Sequence, residues 1–139
     1  MPTIFTRIIA GEIPGRLVWE DEHCVVMVDI RPLHRGHCLV IPRAEVDHWI
    51  DLDSATSEHC FEVARIIGHA QMAAFAPRKV GVMLAGLEVP HTHVHVVPIQ
   101  DERDLDFAKA APADQDDLAA AAGELRAKLR AAGAAGVSE

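Results

Sequence analysis

Apolar and polar positions alternate along the chain in a way that marks five short strands and three helices. Ile4, Phe5, Ile8 and Ile9 fall at i, i+1, i+4 and i+5, the stripe of a short helix over residues 3–10 that Thr3 caps and Gly11 stops. Leu17, Val18 and Trp19 make a first strand. Residues 24–30 make a second, apolar almost throughout and therefore buried on both faces. Residues 37–41 form a third, closed by Pro42. Asp53 caps a long helix reaching residue 75, with Cys60, Val63, Ile67, Ala70 and Ala74 along one face. Residues 79–85 and 91–99 supply two more strands, joined by a tight link over 86–90. Hairpins dominate and one long helix crosses, so the pattern predicts an α+β domain. Its sheet is five-stranded and mostly antiparallel, with helices on one face.

After residue 100 the pattern changes. Asp101, Glu102, Asp104, Asp106, Asp114, Asp116 and Asp117 read as a solvated acidic connector. Leu118, Ala122, Leu125 and Leu129 then put one apolar seam on an Ala-rich helix that ends near Gly133. That seam needs a cover, either its own protomer or a second copy of the chain.

The fifth strand carries the chemistry. It reads His91-Thr92-His93-Val94-His95-Val96-Val97-Pro98, a period of two that puts three imidazoles on one face about 6.6 Å apart. A helix would turn His93 away from His91 and His95. One histidine on a strand is ordinary. Three in a row contribute little to stability, because like charges at this spacing oppose one another. Chemistry can use them, since imidazoles near neutral pH offer a nucleophile, a proton donor and hydrogen bonds to anionic oxygens. Asp29, a carboxylate closing an apolar strand, is a second candidate beside its ordinary reading as a turn residue.

Composition narrows the partners. A chain of 139 residues forms one domain with its own core. A formal net charge of −8 disfavours nucleic acid and anionic membranes. Cys24, Cys38 and Cys60 make no C-x-x-C pair and read as reduced, buried thiols of a cytoplasmic protein. The first residues have no signal-like apolar run, and nothing approaches the ~20 apolar residues of a membrane span.

The His-x-His-x-His stretch resembles the signature of the histidine triad (HIT) superfamily. Three more blocks in the same order support it: residues 4–14, Met27-Val28-Asp29-Ile30-Arg31-Pro32, and Gly36-His37-Cys38-Leu39-Val40-Ile41-Pro42. His95 in the last triad position makes the chain similar to the nucleotide-binding branch rather than the uridylyltransferase branch, where Gln is usual. The resemblance implies a HIT domain over 1–113, with a C-terminal helix and tail over 114–139. It also implies a homodimer whose two sheets join. His93 would be the nucleophile at the α-phosphorus of a purine nucleotide, giving a nucleotidyl-histidine intermediate. His95 would contact the phosphate or leaving group, and His91 and His37 would complete the constellation. Phe5, Ile8, Met27, Val28 and Ile30 match the base pocket, Asp29 matches the ribose ligand, and Gly86 and Val89 lie where backbone approaches the phosphate. The activity implied is hydrolysis of nucleoside phosphoramidates. The alternatives are hydrolysis of dinucleoside polyphosphates, and nucleotide binding with little catalysis.

Two departures stand out. Gly86-Leu87-Glu88-Val89 replaces the Gly-Gln-Ser/Thr-Val usual before the triad, so a Gln and a hydroxyl are missing and a carboxylate is added. Some relatives hold a structural zinc; the matching positions here are Thr3, Thr6, Glu45 and His91, too poor a set for a metal. The sequence shows no carboxylate or Cys cluster beside the triad for a catalytic metal, and the chemistry calls for no cofactor.

Overall fold

In the computed structural model, which describes residues 1–139, the alternation becomes one sheet with two unlike faces. Strands β1 (Leu17–Glu20), β2 (Cys24–Val28), β3 (Cys38–Pro42), β4 (Lys79–Met83) and β5 (Val94–Ile99) lie in the order β1-β2-β3-β5-β4, every pair antiparallel. Val26, Val28, Val40, Val94 and Val96 face α2 (Ser54–Phe75) and α3 (Gln115–Ala131). Val25, Met27, Leu39 and Ile41 face the other way, against Phe5 and Ile8 of α1 (Ile4–Ile9). The helices are therefore not all on one face. The central strands are apolar on both sides, and each side must be covered.

The seam of α3 packs on its own protomer. Leu118, Ala122, Leu125 and Leu129 join Val18, Cys60, Ala70 and Trp19 in the main core, and Leu125 is fully buried. Three Leu side chains there contribute on the order of 5 kcal/mol in gross terms. Beyond α3 the tail returns along β1: Glu20 N–H donates to Gly136 O at 2.8 Å and Ser138 N–H to Val18 O at 3.0 Å. A Cβ at residue 136 would lie 2.3 Å from the Trp19 ring, so only glycine fits. One edge of the sheet is thus covered. The other edge, β4, is open, with Val82 47% exposed.

Two loops hold the site. The acidic connector is folded rather than merely solvated: it makes 3-10 turns at Glu102–Asp104 and Phe107–Lys109 and lays Leu105 over Gly81. Before β3, Gly36 has φ +88, and a Cβ there would lie 2.1 Å from the Phe75 ring. Gln71, buried on α2, donates to Gly36 O and Val96 O at 2.9 Å each and fixes the approach to His37.

The fifth strand starts later than the alternation predicts. Val40 pairs with Val94, which would set Pro42 opposite Thr92, and Pro42 has no N–H for a ladder bond. Thr92 turns to the loop after β3 instead, its N–H and hydroxyl donating to Val46 O at 2.7 and 2.8 Å. His91 and His93 therefore precede the ladder, and only His95 sits within it.

Candidate active site

The partners of each imidazole assign its hydrogen. His91 Nε2 lies 2.7 Å from Pro42 O, and a carbonyl only accepts, so Nε2 carries the hydrogen. Its Nδ1 accepts from the Thr3 hydroxyl at 2.8 Å. His93 Nδ1 donates to His91 O at 2.7 Å, which leaves its Nε2 as a free lone pair. His37 Nδ1 accepts from Leu33 N–H at 3.0 Å. Its Nε2–H then donates to His95 Nδ1 at 2.9 Å, so the His95 hydrogen is on Nε2. His93 and His95, ring centroids 5.1 Å apart, thus offer complementary groups: a bare nitrogen and an N–H.

Burial keeps the supporting rings neutral. It pushes His37 down to about 4, and it pushes His95 down to about 3 with help from the neighbouring His37 and His93. His91 is also lowered, by burial above all. Asp29 shifts the other way. Burial raises its carboxyl, partly offset by the Arg31 N–H that it accepts at 2.9 Å. Asp29 Oδ2 stands 3.6 Å from His37 Nε2, a contact that is no ion pair while His37 is neutral. Asp29, His37 and His95 hold their ligand atoms within 4.8 Å of one another, so a carboxylate does accompany the histidines, brought from the end of β2.

A cleft of about 580 Å³ opens on the α1 face with His93 and His95 at one end. Phe5, Ile8, Met27 and Leu39 wall it, Ile30 and Val89 edge it, and Asp29 faces in. Phe5 also packs its ring 4.9 Å from that of His93. Four of the residues matched by resemblance sit elsewhere. Val28 points into the opposite, helix-covered core, because it is one residue out of phase with Met27. His91 and His37 lie buried behind His93 and His95 rather than in the cleft. Gly86, at φ +76, lines a smaller pocket of about 150 Å³ with Leu87, Glu88 and Phe107, which also reaches His93 and His95.

Several lining residues escaped sequence reasoning. Leu39 was within reach of it, standing two residues after His37 on the same strand face. Arg16, Ile13 and Phe107 were not. Phe107 sits in the acidic connector and stacks 4.9 Å from the His95 ring, a contact across a stretch with no periodicity to read.

Comparison with known proteins agrees with this geometry. The HIT domain pattern matches residues 10–102. The chain belongs to the HIT family. Protein hit of Bacillus subtilis is 33% identical over 100 residues, covering 68% of this chain and 69% of that protein. The adenosine 5'-monophosphoramidase of Saccharomyces cerevisiae is 29% identical over 91% of this chain and 82% of its own. An adenylylsulfatase of Arabidopsis thaliana is 32% identical over 76% of this chain and 55% of its own. Among solved structures, a HIT-like protein from Bartonella henselae superposes with TM-score 0.81 at 28% identity, covering 91% of this chain and 96% of that one. A zinc-bound HIT protein from Mycobacterium smegmatis superposes with TM-score 0.80 at 28% identity, covering 95% and 96%.

Within this HIT chain, the positions that the resemblance matches to zinc ligands do come together, but as a closed hydrogen-bonded group. Thr3 N–H and the Thr6 hydroxyl both donate to Glu45 Oε1 at 2.7 Å, and Thr3 Oγ1 caps α1 through Thr6 N–H. The group holds no thiolate and one imidazole, whose Nδ1 already accepts a hydrogen. That donor set does not fit tetrahedral zinc. It ties α1 to His91, and through His91 O to the orientation of His93.

Proposed function

We propose that the protein hydrolyses purine nucleoside 5'-phosphoramidates at the α-phosphorus. The observation that carries this is the pairing of a bare His93 Nε2 with a His95 Nε2–H at the end of an apolar cleft. Nothing in that pair needs rearranging before reaction. The base fits between Ile8, Met27 and Ile30, and the ribose hydroxyls reach Asp29.

His93 Nε2 attacks phosphorus, and the bond from phosphorus to the leaving nitrogen breaks. His95 gives its Nε2 proton to the departing nitrogen, so the amine leaves neutral, and the His37 Nε2–H at His95 Nδ1 steadies the charge left on that ring until water reprotonates it. Water then attacks the phosphorus of the nucleotidyl-His93, returning a proton to His95 and freeing the nucleoside monophosphate. Each displacement is easier than direct attack by water.

Glu88 favours an amine as leaving group. Glu88 lines both the cleft and the small pocket beyond His95. The freed amine takes a further proton from water and becomes a cation that the Glu88 charge attracts, whereas a leaving sulfate or polyphosphate is repelled. Dinucleoside polyphosphates and adenylyl sulfate are therefore poorer substrates in this reading. Nucleotide binding with little turnover is the second reading, favoured by Leu87 and Glu88 in place of a Gln and a hydroxyl.

The functional unit is read as a homodimer joined along β4. Its support is the open β4 edge beside exposed Phe61, Met72 and Val82, with the opposite edge taken by the tail.

Release of AMP from an AMP phosphoramidate, adenylyl sulfate and a diadenosine polyphosphate tests the reading. The expected order puts the phosphoramidate first. His93→Ala abolishes release while retaining AMP binding, and Glu88→Gln narrows the preference. Binding of AMP without release from any of the three would establish the second reading.

A further inference from the structure

On the helix-covered side of the sheet, away from the cleft, three ligand atoms of unlike chemistry converge. Asp21 Oδ2, Cys24 Sγ and His59 Nε2 lie within 4.8 Å of one another. Asp21 and Cys24 flank the β1–β2 turn, and His59 comes from α2. His59 Nε2 approaches Asp21 Oδ2 at 2.6 Å and Cys24 Sγ approaches it at 3.8 Å. The Trp19 indole N–H donates to the same oxygen at 2.8 Å. One carboxylate oxygen thus meets three donors, more than its two lone pairs serve well. The other oxygen, Oδ1, accepts the N–H groups of His23 and Cys24 at 2.8 and 2.9 Å, so the carboxylate cannot rotate away. Cys60 is buried in the same core as Cys24. The His59 side chain keeps 34% of its surface in solvent, which leaves an entry path.

We propose that Asp21, Cys24 and His59 form a zinc site that clips the β1–β2 hairpin to α2. Two of the three donors crowding Oδ2 are groups that become ligands. On binding, the Cys24 thiol loses its proton to solvent and a sulfur–zinc bond forms. His59 binds through Nε2, with its hydrogen on Nδ1. Carboxylate and thiolate then balance the two charges of the ion. Trp19 N–H and the two backbone N–H groups remain as outer partners that aim the carboxylate. A fourth position falls to water. Sulfur, nitrogen and one carboxylate oxygen select zinc over magnesium or calcium, which take oxygen ligands. The site shares no residue with the nucleotide cleft and does not depend on the proposed activity.

Cobalt(II) tests this, because a thiolate ligand gives it a sulfur-to-metal charge-transfer band in the near ultraviolet. Titration of the chelator-treated full chain is expected to develop that band and saturate at one ion per chain, and zinc is expected to displace it. Cys24→Ser should remove the band. Asp21→Asn and His59→Ala should each weaken cobalt binding by at least about tenfold, the lower end of what even outer partners of a metal give. His59 is half exposed, so its variant keeps the test alive if Cys24→Ser fails to fold. The Asp29–His37–His95 group holds no sulfur and would bind cobalt without the band. Absence of the band in the wild type, its persistence in Cys24→Ser, or unchanged affinity in both Asp21→Asn and His59→Ala would overturn the proposal.

Discussion

His37 Nε2 stands 2.9 Å from His95 Nδ1, and this one contact decides which His95 nitrogen faces the cleft with a hydrogen. Leu33 N–H, on the far side of the His37 ring, makes the decision one-way. His37 touches no part of the cleft, so it acts by positioning.

His37→Phe keeps most of the volume and removes the relay. It is expected to lower kcat by about 10²-fold, the scale of losing a positioned acid, with KM changed by about twofold or less. His37→Gln, which retains an N–H, should recover part of the loss. Steady-state kinetics on the phosphoramidate checks both. A matching rise in KM with kcat intact would instead place His37 in substrate binding.

Acid should unfold the protein through the same two rings. In the folded chain His37 titrates at about 4 and His95 at about 3, against an ordinary 6.5. As pH falls, the unfolded chain takes up protons first. Their contribution is complete above pH 6.5 and is lost as pH falls from there toward 3. The slope is up to about 1.4 kcal/mol per pH unit for each ring. Urea midpoints between pH 7.5 and 4.5 measure it, and His37→Phe should flatten the dependence.

The seam of α3 belongs to the core, so Leu125→Ala should cost about 2–5 kcal/mol of stability. Thermal or urea unfolding reads that loss. Light scattering should meanwhile show the same oligomeric state as the wild type, because the side chain faces its own protomer.

The open β4 edge is where association is expected. Val82→Lys puts a charge on that edge and should shift the chain to monomer in light scattering at micromolar concentration. Its unfolding midpoint as a dilute monomer should be little altered, surface changes being within about 0.5 kcal/mol. A dimer that survives Val82→Lys would move the interface elsewhere.

The strands, the long helix and the histidine cluster were legible because periodicity and turn residues are local signals. Asp53 capping α2 is one such case. What covers a face is not local. The α3 stripe was visible, but its burial against Trp19 and Cys60 depends on contacts dozens of residues apart. The alternation puts the triad on one strand face, yet the missing N–H of Pro42 moves His91 and His93 off the ladder. Val28 is one residue out of phase with Met27, which stands opposite Leu39 on the cleft face. Phe107 reaches His95 only because the connector folds back over Gly81.

The tail strand along β1 bears on how the protein behaves when crowded. A sheet with two free edges can add neighbours on both sides and grow without limit into fibres. Here Gly136 and Ser138 occupy the backbone groups of one edge from within the chain. Lateral growth then has one place to start and stops once that place is filled. Loss of the last few residues would therefore leave the nucleotide cleft untouched and convert a self-limiting association into an open-ended one, visible as slow turbidity at high concentration.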